Sequence, residues 1–209
     1  MTEELKAVRL GKITASQVYK LLGKDDNKFT QAGETYLWQI VGEIMTGCTS
    51  DEVYSKATEW GNTYEPVAFK EYVKRFDRKD AIYFGEEPQF FTLKEFEGFA
   101  GASPDGMDEG APIEIKCPYN SAVHAQNLCL KTPAEFAALH PDYYAQMQMQ
   151  MMCVGCDYGK FISFDPRNKV RSMKVLEVPA DIELQQKINY KIILAKQWIK
   201  EKMEVALAV

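Results

Sequence analysis

The sequence has no apolar run long enough to cross a bilayer; its hydrophobic stretches are short and interrupted by charge. Its opening, Met1-Thr2-Glu3-Glu4-Leu5-Lys6, lacks the basic start and apolar centre of a secretion signal. The expectation is a cytoplasmic protein with no membrane partner. Cys48, Cys117, Cys129, Cys153 and Cys156 are odd in number and lack framework spacing, which argues for free thiols rather than a disulfide scaffold. Cys153-Val154-Gly155-Cys156 is a lone C-x-x-C with no second pair and no nearby histidine, so it reads as a helix end with two buried thiols rather than a zinc site. Internal repeats, low-complexity tracts and linkers are also missing, so residues 1–209 read as a single α/β domain. A formal net charge of −5 offers nucleic acid little general attraction. Basic residues nevertheless gather at Arg9/Lys12/Lys20/Lys24/Lys28, Lys70/Lys74/Arg75/Arg78/Lys79 and Arg167/Lys169/Arg171/Lys174. A local positive groove is compatible with an acidic whole, although each cluster alone also reads as a solvated face.

What is present centres on Ser103-Pro104-Asp105-Gly106 and, nine residues past Asp105, on Glu114-Ile115-Lys116. Ile113, Ile115 and Cys117 alternate with the period of a strand, which puts Glu114 and Lys116 together on its other face. Asp105 precedes a Gly106 turn and a loop over residues 107–111, so a hairpin return can bring its carboxylate beside Glu114. Two carboxylates at the open end of a sheet, with the Ile115 carbonyl as a third oxygen, suit Mg²⁺, which keeps several waters and completes its octahedron with substrate phosphates. Such a cation activates water and stabilises charge on phosphate oxygens. Lys116 would orient that water or neutralise charge. Service as a general base would need a pKa far below the ordinary lysine value of about 10.4, and neighbouring carboxylates push it up. The residues alone leave a plainer reading open, because an Asp before a Gly turn is ordinary loop chemistry and a Glu/Lys alternation is what a solvated strand face shows.

Along the chain, residues 14–23 predict a short capped helix closed by Gly23, with Val18, Leu21 and Leu22 inward. Arg9 and Lys12 lie just before it, and hydroxyls at a helix N-terminus beside an arginine can either hold a phosphate near Arg9 and Ser16 or simply cap the helix. Residues 30–46 carry Tyr36, Leu37, Ile40, Val41, Ile44 and Met45 at helical spacing and stop at Gly47. Residues 57–76 repeat the pattern through Trp60, Tyr64, Val67, Ala68, Phe69 and Tyr72, with Pro66 bending or restarting the helix and Glu65 on its polar edge. Segments 81–85, 89–93, 96–103 and 113–117 predict strands of one central, twisted sheet. Helices are expected over 122–130, 133–139 and 141–154, the last with Tyr144, Met147, Met151 and Met152 as an apolar stripe and Gln146, Gln148 and Gln150 as polar positions. Strands over 160–164 and 173–178 and an amphipathic helix over 182–207 complete the pattern.

Six ordered blocks carry a resemblance. Arg9-Leu10-Gly11-Lys12-Ile13-Thr14-Ala15-Ser16, Trp60-Gly61-Asn62-Thr63-Tyr64-Glu65, Ser103-Pro104-Asp105-Gly106, Glu114-Ile115-Lys116-Cys117-Pro118, Tyr144-Ala145-Gln146-Met147-Gln148 and Phe164-Asp165-Pro166-Arg167 follow the order found in bacteriophage lambda exonuclease and related viral alkaline exonucleases. From about Val8 to Arg167 the chain resembles that family. The resemblance implies a restriction-endonuclease-like α/β core with a central twisted mixed β-sheet flanked by helices and a PD-(D/E)XK site. It also implies a Mg²⁺-dependent 5′-to-3′ exonuclease on double-stranded DNA that releases 5′-mononucleotides and leaves 3′ overhangs for phage- or prophage-type homologous recombination in a bacterial host. Carried over block by block, Asp105, Glu114 and the Ile115 backbone carbonyl would hold Mg²⁺, with Mn²⁺ as a substitute. Lys116 would serve the attacking water, and Glu65 would support a second metal or its waters. Arg9 and Ser16, helped by Ser103 and Gln146, would take the 5′-terminal phosphate. The family further implies a homotrimeric ring that threads DNA ends and a single-strand-annealing recombinase as partner. Thr58 departs from the lambda pattern, standing where an apolar strand-separating residue is expected. Two other functions remain compatible: a structure- or sequence-specific endonuclease of the same fold, and a non-catalytic DNA-end-binding module, whose signature would be loss of an Asp, Glu or Lys that this chain keeps.

Overall fold

The computed structural model describes residues 3–49, 55–96 and 98–208. Ala111–Lys116 forms the strand on which the rest is hung, β6, so numbered because five short strands precede it: β1 (Ile13–Thr14), β2 (Ile82–Tyr83), β3 (Phe91–Thr92), β4 (Ala100–Ala102) and β5 (Gly106–Asp108). Its alternation sorts side chains as expected. Ile113, Ile115 and Cys117 face one way, packing with Ala68, Phe69 and Tyr72 of α3 (Lys56–Phe76) and with Ile162 and Phe164 of β7 (Tyr158–Phe164). The other face is covered by α6 (Pro141–Val154), whose Met147 and Met151 pack with Phe161 of β7. Both faces are thus buried, and the polar face of β6 is turned into the protein rather than into solvent.

The strands fall into two sheets rather than the one expected from sequence. The larger runs β2-β5-β6-β7-β8, with β8 spanning Met173–Pro179, and the smaller runs β1-β4-β3. β6 and β7 are parallel, in the register Glu114↔Phe161 and Lys116↔Ser163, and the other pairs of the larger sheet are antiparallel. The break falls between β4 and β5, where Ser103 and Pro104 intervene; a proline has no N–H to continue a ladder. The parallel pair needs a crossover, which α4 (Ser121–Cys129), α5 (Pro133–Leu139) and α6 supply. The result is a mixed α/β fold with mixed sheets flanked by helices.

Segment 14–23 differs from expectation. Thr14 is extended in β1 and gives its N–H to the Tyr36 hydroxyl at 3.0 Å; Ala15–Leu21 then winds as a 3₁₀ helix with no side-chain cap, and Leu22 rather than Gly23 ends it. Preceding it, Glu3–Arg9 forms α1, a helix that polar Glu-Glu-Leu-Lys does not announce. α2 (Gln31–Thr46) starts on Thr30, which accepts from the Gly33 N–H, and stops at Gly47 in the left-handed region, but Ile44 and Met45 are exposed rather than core. Pro66 lies inside one continuous α3 and costs that helix the bond to the Asn62 carbonyl without restarting it. α6 is not amphipathic: Gln146, Gln148 and Gln150 are buried together with the methionines, since the sheet lies on one side and α7 (Ile182–Leu207) on the other. Gly155 closes α6, with Cys153 and Cys156 half-buried and free. Among the described residues, no helix is long and apolar enough to cross a membrane.

Candidate active site

The hairpin that delivers Asp105 turns later than its sequence suggests. Gly106–Asp108 is itself strand, paired Gly106↔Ile113, Met107↔Pro112 and Asp108↔Ala111, and the reversal is made by Glu109 and Gly110, with φ of 53° and 80°. Positive φ at both central residues is the requirement of a type I′ turn, whose twist matches the strands it joins. Asp105, just upstream, is held in register by its N–H on the Ile113 carbonyl at 3.0 Å and by the Phe84 N–H on its own carbonyl at 2.9 Å. Its carboxylate accepts the Ile115 N–H at 2.6 Å. The carboxylate of a loop is thereby fixed on the backbone of the strand that carries Glu114.

Glu114 is 1% exposed, and both its oxygens are engaged: Lys116 Nζ donates to Oε1, and Gln150 Nε2 of α6 donates to Oε2 at 2.5 Å. The Lys116 ammonium also lies 4.9 Å from the centre of the Tyr143 ring. Glu65, on α3, accepts the Tyr83 hydroxyl at 3.0 Å. The electrostatics of the group are mutual. Burial pushes the Asp105 carboxyl well above the usual range, and Glu114 and Glu65 add to it, with Lys116 and the Ile115 N–H opposing. Glu65 is raised by burial and by Glu114, against its bond from Tyr83. Burial works against the Lys116 ammonium, but Glu114 and Asp105 outweigh it and hold its pKa above that of an ordinary lysine. Cys117 is pushed up to about 12 by burial and then by Glu65 and Asp105, so its thiol is inert at neutral pH.

Asp105 and Glu65 open onto a cavity of about 460 Å³ whose lining also includes Arg9, Thr58, Asn62 and Ser103. Arg9 donates to Ser16 Oγ at 3.4 Å, and Ser16 lies 3.4 Å from Thr14 Oγ1, so the two expected anion-binding residues do stand together. Ser103 Oγ is buried beside this opening without a partner among the described residues. Gln146 is buried on α6, one turn before Gln150, and does not line the cavity. A larger cavity, about 650 Å³ between α7 and the Lys94–Phe96 turn, offers only Glu95 as a carboxylate.

Several residues near the site belong to a pattern or block named from the sequence but were given no role there. Gln150 is one, and its i, i+4 relation to Gln146 was the available signal. Arg167 and Asp165 are others. Arg167 pairs with Asp165 at 2.8 Å, donates to the Pro118 and Tyr119 carbonyls at 3.2 and 2.9 Å, and lies 4.2 Å over the Trp60 ring. This brace joins the Trp60 and Asp165 blocks to the loop leaving Lys116. Much of the basic cluster around Arg75 and Arg78 is ion-paired, Arg75 with Glu71 and Arg78 with Glu109 and Asp108. That face behaves as a solvated, neutralised one.

Among the described residues, no group of three His, Cys, Asp or Glu side chains is gathered tightly enough to form a ready-made metal cage. The donors present are two carboxylates joined through a strand and a third on a neighbouring helix, in mutual repulsion. That set fits a hard divalent cation that takes few protein oxygens, keeps its waters and relieves the excess negative charge.

A family model describing the YqaJ-like viral recombinase domain matches residues 4–157. Among solved structures, LHK-Exo in complex with dAMP has a TM-score of 0.81 to this chain at 27% identity, covering 98% of this chain and 96% of that one. A second crystal structure of this alkaline exonuclease, from Laribacter hongkongensis, gives 0.75 at 25% identity over 99% and 100%. A phage-related exonuclease from Haemophilus somnus 129PT gives 0.74 at 16% identity over 93% and 96%, a likeness of fold alone. No curated protein sequence matches.

Proposed function

The chain belongs to the family of YqaJ-like viral recombinase domains, and from that premise we propose that it is a divalent-metal-dependent exonuclease degrading one strand of duplex DNA from a 5′ end to mononucleotides. The observation that carries this reading is the convergence of Asp105, Glu114, Glu65 and Lys116 beside a cavity that also holds Arg9 and Ser103. LHK-Exo in complex with dAMP supports it, since a 5′-mononucleotide is the product such a reaction releases. Residues 1–209 act as a single nuclease domain in this reading.

Asp105, Glu114, the Ile115 carbonyl and, from α3, Glu65 would hold the cation, with Mg²⁺ the natural ion and Mn²⁺ a substitute. When bound, the cation supplies Lewis-acid polarisation of the phosphodiester and a nucleophile at neutral pH. The chain's own residues do the positioning. Glu114 and Asp105 hold the proton on Lys116 in the metal-free protein, and in this reading it donates to phosphate oxygen or to the attacking water and neutralises charge. Arg9 and Ser16, with Ser103 Oγ, which has no partner among the described residues, receive the terminal 5′-phosphate, and Gln146 acts behind them from α6. A ring of three copies around the duplex and an annealing recombinase on the 3′ overhang complete the reading.

A linear duplex with one 5′ end phosphorylated and the other blocked, run beside a closed circle with Mg²⁺ or chelator, tests it. Mononucleotides should leave the phosphorylated strand alone, only with metal, and Asp105→Ala, Glu114→Ala and Lys116→Ala should each abolish release. Cutting of the circle would move the protein to an endonuclease. Binding of ends with no hydrolysis under any metal would leave only an end-binding module.

A further inference from the structure

Three glutamines lie buried in α6, and two of them can be compared bond by bond. Gln148 is matched at both ends. Its Nε2 donates to the Pro179 carbonyl at 3.0 Å, and its Oε1 accepts from the Asp181 N–H at 2.8 Å and from Gln185 Nε2 at 3.1 Å, tying α6 to the start of α7. Gln150, fully buried, donates Nε2 to Glu114 Oε2 at 2.5 Å, while its own Oε1 is buried with no partner among the described residues. Reversing the amide would aim an oxygen at a carboxylate, so chemistry settles which end faces Glu114. A side chain that only filled the core would carry no unmatched acceptor, and a methionine, like its neighbours Met149 and Met151, would fit without that cost. What Gln150 contributes is therefore its donor toward Glu114.

The two donors on Glu114 are not equivalent. Lys116 brings a full positive charge on a flexible stem, with its side chain 26% exposed. Gln150 brings a neutral amide from a core helix packed on β6. A divalent cation approaching the carboxylate repels the ammonium and leaves the amide undisturbed. Resting on the metal-dependent reading above, the geometry points to Gln150 as a positioning residue of the cation site, anchoring one oxygen of Glu114 while the other exchanges lysine for the cation. The carboxylate then has no need to reorient. Loss of such a supporting hydrogen bond weakens metal binding roughly 10- to 100-fold.

The test follows the melting temperature of the full chain against MgCl₂ and MnCl₂, without DNA, for the native protein, Gln150→Met and Gln150→Leu; the second variant repeats the test with a different packing shape. In chelator each variant loses the bond to Glu114 Oε2 along with the unmatched Gln150 Oε1, so the cation response of each is read against its own melting temperature without cation. The cation concentration giving half-maximal stabilisation should rise about tenfold or more, and the half-saturating Mg²⁺ for DNA hydrolysis should rise with it while the rate at excess Mg²⁺ is largely kept. An unchanged half-maximal concentration in the variants would overturn the role of Gln150 and leave the metal reading standing. No cation-induced shift in the native protein would overturn both.

Discussion

At the scale of single residues, the site is an arrangement the metal-free fold would be more stable without. Asp105 and Glu65 are held with raised pKa values by burial and by the charge of Glu114, Glu65 adding to the effect on Asp105, and Lys116 offsets only part of it. Asp105→Asn keeps the shape and an oxygen to accept the Ile115 N–H, and removes one charge. In chelator it should raise stability by about 1–2 kcal/mol, read as a higher melting temperature, while mononucleotide release falls by about 10²-fold or more. Glu114 and Lys116 were legible in the sequence through the two-residue period of a strand, and Asp105 through the hairpin return that brings it to them, although the turn falls at Glu109-Gly110 and not at Gly106. Gln150 was not, because its partner Glu114 lies on a different element and nothing in a helix of alternating Gln and Met says which glutamine meets a carboxylate.

At the scale of elements, helices with strong ends were read to within a residue or two, α5, α6 and α7 among them, since a capping residue, a proline at the first turn or a glycine at the close leaves a local mark. α1 lacked such marks, the hydroxyls and Gly23 around residues 14–23 marked a helix but not its 3₁₀ winding or its end at Leu22, and two- and three-residue strands leave no period to see. The β5–β6 hairpin is the element on which the site depends most. Gly110 holds a φ of 80°, and a Cβ there would meet no atom, so Gly110→Ala isolates the backbone conformation from packing. It should cost about 1–2 kcal/mol, seen as a lower urea midpoint at unchanged slope. The turn's other residue, Glu109, also at positive φ, is held by Arg78 at 2.6 Å and by Lys160 at 3.1 Å, which explains a non-glycine there.

At the scale of the whole molecule, carboxylates of two opposite kinds set how stability follows pH. For Asp108, burial works upward, but bonds from Lys160 and Tyr72 outweigh it and hold the pKa below the usual value; Asp165 is held down in the same way, against burial, by Arg167. A lowered folded pKa means stability present above the ordinary carboxylate value of about 4 and lost as pH falls through the folded one. Asp105 and Glu65, with raised folded values, act in reverse: their cost is complete above those values and fades as they protonate. The metal-free protein should therefore gain stability as pH falls from neutral toward about 5, then lose it below about 4. Saturating Mg²⁺ should lift the neutral limb and flatten that rise, as urea midpoints from pH 8 to pH 3 would record. Replacing one partner of the buried pair, as in Lys160→Met, should cost up to about 3–5 kcal/mol, since Asp108 loses its buried ammonium and keeps the Tyr72 bond and the nearby Arg78.

The parallel pairing of β6 with β7 also governs when the site comes into being. The β5–β6 hairpin is local in the chain and can close within microseconds, but its parallel partner follows only after three intervening helices. Contacts between distant parts of a sequence form late and slowly. During synthesis, at roughly 5–20 residues per second, Asp105 and Glu114 emerge seconds before Gln150 and β7. A growing or partly unfolded chain thus carries the charged side chains without the scaffold that aligns them, and the site is assembled only once the strands around β6 have closed.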